Sequence, residues 1–338
     1  MSDDVILLAH GSGGLLTHRL ISDLFLRHFA DPVLAAQQDA AVLESPGERL
    51  AFTTDAFVVS PLFFPGGDIG RLAVCGTVND LAMSGATPRY LSAAFIIEEG
   101  LALGVLERIV TAMAEAAREA GVAIVAGDTK VVGRGGADGL YITTAGVGSL
   151  SGGHALRTDA IAPGDRLLVS GPVGDHGLAV MAAREGLPFH PAPVSDCAPL
   201  GGLVAALLGA CPPGDVHALR DPTRGGLAAV VNEWASGEGV GIDLMEDAIP
   251  VREEVRAACE MLGIDPLHAA CEGRLVAAVA PGSAERALRT LQGHPLGAGA
   301  AVIGGVTADH PGRVVLTTPL GAHRLLEMPT GELLPRIC

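Results

Sequence analysis

The sequence predicts an α+β protein of two domains followed by a short irregular tail. Three observations carry that prediction. A chain of 338 residues, 49% of them apolar, is long for one core and ample for two. Strand-like and helix-like segments mix in both halves without regular βαβ alternation. A Gly-rich, polar stretch at residues 149–165 separates the two sets. The expected units are residues 1–150, residues 151–326 and a flexible tail, 327–338.

Element by element, residues 5–9 read as a short buried strand before His10-Gly11-Ser12-Gly13-Gly14. A helix should follow, since Leu16, Leu20, Leu24 and Phe25 share one face. Residues 50–60 predict a strand holding Asp55, and residues 70–84 a helix holding Asn79 and Asp80. A strand over 90–97 and an Ala-rich amphipathic helix over 105–120 come next. Residues 122–126 read as a buried strand ending in Gly127-Asp128-Thr129-Lys130, and 140–148 as a further strand. In the second half, strands are expected at 166–170, 217–219, 240–244, 274–280, 301–306 and 314–317. Helices are expected at 177–184, 200–208, 226–236, 251–262 and 283–291. In the tail, Pro329, Gly331 and Pro335 oppose a helix. Twelve extended residues span roughly 40 Å, enough to carry Cys338 into a cleft.

Composition narrows the function. A formal charge of −16 and 3% aromatic residues argue against binding a phosphate backbone or stacked bases, so no nucleic-acid partner is expected. No apolar run reaches the roughly 18 residues of a membrane span. The acidic opening, Met1-Ser2-Asp3-Asp4, is unlike a signal peptide, so the expected compartment is the cytoplasm. The six cysteines include no CxxC pair and are expected as free thiols.

Several groups could carry chemistry. The glycine loop at Gly11, Ser12, Gly13 and Gly14 reads either as a phosphate cradle before a helix or as a tight turn with Ser12 near the cap. It lacks the Lys-Ser/Thr ending of a P-loop. Asp39, Asp55, Asp80 and Asp128 stand at element ends, where each singly reads as a turn former. Together they suit magnesium beside a polyphosphate, and Asp55, Asp80 and Asp128 lie in apolar, Gly-rich surroundings where an uncompensated carboxylate is costly. Lys130, in a chain short of lysines, could neutralise a phosphate or sit solvated in a loop. Arg220-Asp221-Pro222-Thr223-Arg224-Gly225-Gly226 reads as a phosphate or tail contact, or as a helix start capped by Thr223. Glu272 sits in a turn before a strand. Cys338, exposed by position and two residues from Arg336, is a candidate nucleophile or carrier.

A family resemblance sharpens these readings. Thr53-Thr54-Asp55-Ala56-Phe57, Phe64-Pro65-Gly66-Gly67-Asp68-Ile69-Gly70-Arg71, Gly76-Thr77-Val78-Asn79-Asp80-Leu81-Ala82-Met83, Ala126-Gly127-Asp128-Thr129-Lys130 and terminal Pro335-Arg336-Ile337-Cys338 resemble the HypE family of hydrogenase maturation proteins. The likeness runs through essentially the whole chain. It implies a PurM-like ATP-binding domain, a C-terminal α/β domain and a homodimer. It implies that HypF loads a carbamoyl group on Cys338, that ATP drives its dehydration to an S-cyanate, and that HypC–HypD receives the cyanide for nickel–iron hydrogenase. It places Asp55, Asn79, Asp80 and Asp128 with the glycine loop around ATP, Asp39, Asp55, Asp80 and Asp128 on Mg2+, and Lys130 and Glu272 beside the carbamoyl group. Two positions depart from the family: Ala56 replaces the usual Ser and Cys271 the usual Asn. Selenophosphate synthetase, aminoimidazole ribotide synthetase and thiamine-phosphate kinase share the fold but do not explain Cys338. A non-catalytic thiol carrier remains the other class.

Overall fold

The computed structural model describes residues 14–20, 22, 41–44, 49–150, 153–331, 334 and 336–338. Gly11, Ser12, Gly13, Asp39 and the strand expected at 5–9 lie outside the described residues. The first domain runs α1 (Leu15–Leu20), β1 (Ala41–Glu44), β2 (Arg49–Phe57), β3 (Phe63–Phe64), β4 (Gly67–Asp68), α2 (Ile69–Met83), β5 (Thr87–Glu98), α3 (Leu103–Ala120), β6 (Ala123–Val132) and β7 (Leu140–Leu150). Its five-stranded sheet has the order β1-β2-β7-β5-β6. Only the β5–β6 pair is parallel, because α3 provides the crossover that parallel strands need.

Helix α2 is the axis of this domain. Asp68 starts it, accepting the N–H groups of Gly70 at 2.8 Å and Arg71 at 3.0 Å, which satisfies donors that a helix start leaves open. Its apolar and small residues bury nearly all of its surface, so it packs between the sheet, α3 and the second domain. Helix α3 is amphipathic instead and ends at Gly121, whose φ of 70° is the left-handed cap that glycine adopts without strain.

The second domain runs β8 (Arg166–Val169), α4 (Asp175–Glu185), α5 (Gly201–Ala210), β9 (Val216–Arg220), α6 (Gly226–Glu238), β10 (Gly241–Met245), α7 (Glu253–Leu262), β11 (Val276–Val279), α8 (Ala284–Gln292), β12 (Ala301–Thr307), β13 (Val314–Thr317) and β14 (His323–Leu325). These strands form a seven-stranded sheet, β14-β13-β10-β12-β8-β11-β9, antiparallel except for β10–β13. Strand β11, Val-Ala-Ala-Val, is buried on both faces. Trp234, Leu227 and Val231 of α6 cover one side of the sheet, and Leu203, Leu207 and Leu291 of α5 and α8 the other. A third core joins the domains, packing Phe57, Ile69, Leu72 and Ile109 with Leu178, Val255, Leu334 and Ile337.

The structure corrects four expectations. The strand expected at 122–126 extends to Val132, so Asp128 and Lys130 are strand residues rather than loop residues. It is also not buried: among the described residues β6 ends the sheet, and Val125 and Val131 are 62% and 67% exposed. A short apolar run fixes a strand but not its place in the sheet. Helix α6 is not capped by Thr223; Gly225, at a φ of 79°, turns the chain into it with no side-chain cap. The tail is not a free arm along its described length. Leu326 bonds to Val314 and Asn232, Pro329 accepts the Leu15 N–H at 2.8 Å, and Leu334 and Ile337 are buried in the interdomain core. Apolar burial outweighs the lack of any periodic structure there. The short β3–β4 hairpin and β14 carry too few residues for a periodicity to show. No helix among the described residues is long and apolar enough to cross a membrane, and all six cysteines are free thiols.

Candidate functional site

Cys338 ends in a cleft between the domains, brought there by a clamp on the tail backbone. Residues 336–338 run antiparallel to 58–60: the Val58 N–H donates to the Cys338 carbonyl at 3.1 Å and the Ser60 N–H to that of Arg336 at 3.2 Å. Arg184 of α4 spans both segments, donating from Nε to the Ser60 oxygen at 2.7 Å and from Nη2 to the Arg336 oxygen at 2.6 Å. Arg336 itself donates to the Val58 oxygen and pairs with Asp138. Its charge is therefore engaged with Asp138. His176 of α4 holds the next carbonyl, Ile337, from Nε2 at 2.6 Å. Gly177 leaves space for the tail, since a Cβ there would lie 2.9 Å from Leu334 Cδ1.

The thiol is partly exposed by geometry, yet its pKa is pushed up to about 12. Burial of the sulfur is the main cause, and Glu272 and Asp55 add to it; Arg224 opposes them. The docked sulfur is thus neutral at physiological pH. Arg224 in turn is held charged by Cys338, Asp55, Glu272 and Asp80. Glu272 is 2% exposed, and burial with the neighbouring Asp221 and Asp55 pushes its carboxyl well up. Its Oε1 has no hydrogen-bond partner among the described residues. Asp221 rises to about 6 through burial, with Arg220 opposing and Asp55 adding.

Periodicity explains how the carboxylates meet. Thr53 and Asp55 point to one face of β2, two residues apart, and Gly76 and Asp80 share one face of α2, four apart. A Cβ on Gly76 would lie 3.6 Å from Asp55 Oδ2, and Thr53 Oγ1 donates to Asp80 Oδ2 at 2.8 Å. Burial pushes the Asp55 carboxyl up against the pull of Arg224. The cleft therefore gathers Asp55, Asp80, Asp221, Glu272, Arg224 and Cys338. Burial pushes the Asp55, Asp221 and Glu272 carboxyls up, with mutual repulsion adding for the last two, and among the described residues no group of three or more His, Cys, Asp or Glu is arranged to hold a metal ion.

Four predicted residues stand apart. Asp128 lies about 14 Å from Asp55, three strand spacings across the sheet, because Asp55 faces Thr144, Thr144 faces Ala93 and Ala93 faces Gly127. It pairs at 2.8 Å with Lys130, the chain's one lysine, on the open strand β6. Lys130 holds the Asp128 carboxyl below the usual range. Asn79 is fully buried and joins the domains: it donates to the Ala198 and Glu272 carbonyls at 3.1 and 3.3 Å and accepts from the Leu200 N–H at 2.7 Å. Its amide is occupied by protein backbone. Gly14 is pressed on the tail, where a Cβ would meet the Pro329 oxygen at 2.3 Å.

The Arg220–Gly226 segment reads in the sequence as either a phosphate or tail contact or a helix start, and His176, Arg184 and Ser195 carry no sequence signal at all. Nothing in their spacing marks them, since their partner is an aperiodic tail. The Cys271 departure is absorbed locally: its sulfur accepts the Gly174 N–H at 3.2 Å inside the core. Glu272 is oriented instead by Asp196, which accepts its N–H at 3.0 Å.

Residues 37–150 match the AIR synthase related protein, N-terminal domain, and residues 162–317 its C-terminal domain. The two domains, with the interdomain cleft, place the chain in the AIR synthase related class. Full-length similarity narrows this. The carbamoyl dehydratase HypE of Rhizobium leguminosarum bv. viciae is 54% identical over 333 residues, covering 98% of this chain and 94% of that protein. A crystal structure of a HypE–HypF complex superposes with a TM-score of 0.87 at 48% identity, covering 92% of this chain and 99% of that one. HypE crystallised in complex with ATP gives 0.82 at 51% identity, covering 99% and 100%. The chain belongs to the HypE family of carbamoyl dehydratases.

Proposed function

We propose that this chain dehydrates a carbamoyl group carried on Cys338, using ATP, to an S-cyanate that serves nickel–iron hydrogenase maturation. The observation that carries the reading is the docked terminus: the sulfur sits beside Glu272 and Arg224 in the acidic cleft, fixed by Val58, Arg184 and His176. A plain thiol carrier has no use for a buried carboxyl at the thiol it presents. The reaction converts the S-carboxamide and ATP into S-cyanate, ADP and phosphate, losing both N–H protons. ATP supplies the phosphoryl group that turns the amide oxygen into a leaving group. Glu272, the buried carboxyl beside the sulfur, accepts one N–H proton in its ionised form, the departing phosphate carries away the other, and Arg224 faces the charge that develops on oxygen. The tail clamp keeps the carbamoyl group in place while the cleft limits water.

Asp55 and Asp80 fit a magnesium–phosphate group. Asp39 and the glycine loop belong to the same proposal by family position, and Asp128 and Lys130 reach it through assembly. Strand β6 leaves Ile124, Val125 and Val131 exposed on an edge that pairs with no other strand among the described residues, with Phe52, Tyr90 and Ile96 also exposed on the sheet. Such an edge is ordinarily covered, and a homodimer covers it while carrying Asp128 and Lys130 with the interface. HypF as carbamoyl donor is supported by the related HypE–HypF complex. HypC–HypD as cyanide acceptor completes the proposed route, and the cytoplasm, which keeps thiols reduced, is its proposed place.

The test is the mass of the C-terminal peptide after incubation with HypF, carbamoyl phosphate and ATP. A carbamoyl adduct on Cys338 that becomes a cyano adduct only when ATP is present supports the reading. A carbamoyl adduct that ATP leaves unchanged leaves only the carrier and sinks the enzyme.

A further inference from the structure

The clamp on Ile337 and the seat of Glu272 share one piece of backbone. His176 is fully buried, its ring edge-on to Phe64 at 5.3 Å between centroids. The Ile337 carbonyl can only accept, so His176 Nε2 carries the proton. Nδ1, left as an acceptor, takes the hydroxyl proton of Ser195 at 2.8 Å, and Ser195 Oγ accepts the Cys197 N–H at 3.1 Å. The next residue, Asp196, accepts the N–H of Glu272, and Ala198 N–H reaches the Glu272 carbonyl at 3.4 Å. Glycine at 273 is required by this closeness: a Cβ there would lie 1.8 Å from the Asp196 oxygen. Ser195 is anchored at its other side by its N–H to the Pro65 carbonyl at 2.9 Å.

We propose that His176, fixed by Ser195 as the Nε2–H tautomer, is a positioning residue that sets the tail in register with Glu272, residues 195–198 being the common template. His176 touches neither the sulfur nor the carbamoyl group. It sets where they lie, because four consecutive residues fasten His176 on one side and the Glu272 backbone on the other. This inference rests on the dehydratase reading. It assigns His176 to the docked step alone; loading of the carbamoyl group, which needs the thiol in reach of a partner, does not use it.

The experiment compares the parent with His176→Phe, His176→Gln and Ser195→Ala. Glutamine restores a donor near the Nε2 position, phenylalanine restores none, and Ser195→Ala frees the ring to take the other tautomer. Three quantities are read: loading of Cys338 by HypF, the single-turnover rate of the loaded protein with ATP, and alkylation of Cys338 by iodoacetamide without nucleotide. Expected for His176→Phe are loading no slower than the parental rate, dehydration slowed about tenfold or more, and alkylation faster by a similar factor, as for loss of one buried hydrogen bond. Glutamine should recover most of both losses, and Ser195→Ala should fall between. Parental dehydration and alkylation in His176→Phe overturn the inference, as does failure of glutamine to do better than phenylalanine. Should His176→Phe fold poorly, Ser195→Ala decides alone: unchanged alkylation and dehydration refute the tautomer lock. If the parent itself forms no cyanate, the dehydratase reading fails, while the alkylation series still decides whether His176 holds the tail.

Discussion

Removing Arg184 should free the tail, and the docked thiol makes that measurable. Arg184→Ala deletes the guanidinium that holds the Arg336 and Ser60 carbonyls. The thiol stands at about 12 when docked, against an ordinary value of 9.0, so a docked sulfur offers roughly a thousandfold less thiolate below pH 9. Alkylation proceeds through the thiolate, so its rate follows the undocked fraction. A hydrogen bond from a charged donor contributes about 1.5–3 kcal/mol. Losing the bond to Arg336 should therefore raise the undocked fraction about ten- to a hundredfold. The direction with pH follows from the raised pKa: docking gains its full benefit from the neutral thiol below pH 9.0, and that benefit is lost as pH climbs from 9 toward 12. The assay is iodoacetamide labelling at a series of pH values, read on the C-terminal peptide beside a free peptide of residues 327–338. The other five cysteines are buried and should label far more slowly. Parental labelling as fast as the free peptide, or an Arg184→Ala rate equal to the parent's, would refute the docking argument.

Glu272→Gln should leave loading of Cys338 intact and slow dehydration by about 10²–10⁴-fold, as loss of a general base does; accumulation of the carbamoyl peptide in the presence of ATP is the readout. Val125→Lys, at a 62% exposed position on open β6, should shift the protein toward monomer in sedimentation and lower ATP turnover without lowering the melting temperature. Asn79→Ala should destabilise the fold by about 2–4 kcal/mol in urea, because Leu200 N–H and the Ala198 carbonyl lose their partner in a buried site.

The two-domain α+β class was legible because it is written in periodicity and in the Gly-rich break. Helix α2 and the strand carrying Asp55 fall close to their predicted bounds for the same reason. What sequence could not fix was relative placement. Asp55 and Asp128 read alike, yet one lies under Arg224 and the other three strands away beside Lys130. Asn79 and Asp80 are neighbours, but successive helix positions differ by about 100°, so one faces the second domain and the other Thr53. The same motif thus supplies an interdomain strut and a site carboxylate. The tail was the hardest part. Its lack of pattern predicts freedom, whereas Leu334 and Ile337 are anchored by surfaces that no local signal announces.

Docking of the tail and the chemistry proposed for it place opposite demands on one sulfur, and the cleft separates them. Accepting a carbamoyl group calls for a reachable thiolate, which the acidic neighbours Glu272 and Asp55 oppose. Dehydration calls for a neutral sulfur held away from water, which the same neighbours favour. Once loaded, Cys338 has no proton to lose, so the term that weakens docking above pH 9.0 disappears. The loaded tail should then stay docked, by hydrogen exchange of residues 334–338, at a pH where the unloaded tail has left. Arg184 and His176 hold the tail through the backbone carbonyls of Arg336 and Ile337, so that hold is the same for the loaded and the unloaded tail. Discrimination between the two therefore falls to the carboxylates around the sulfur, and loading itself commits the tail to the cleft.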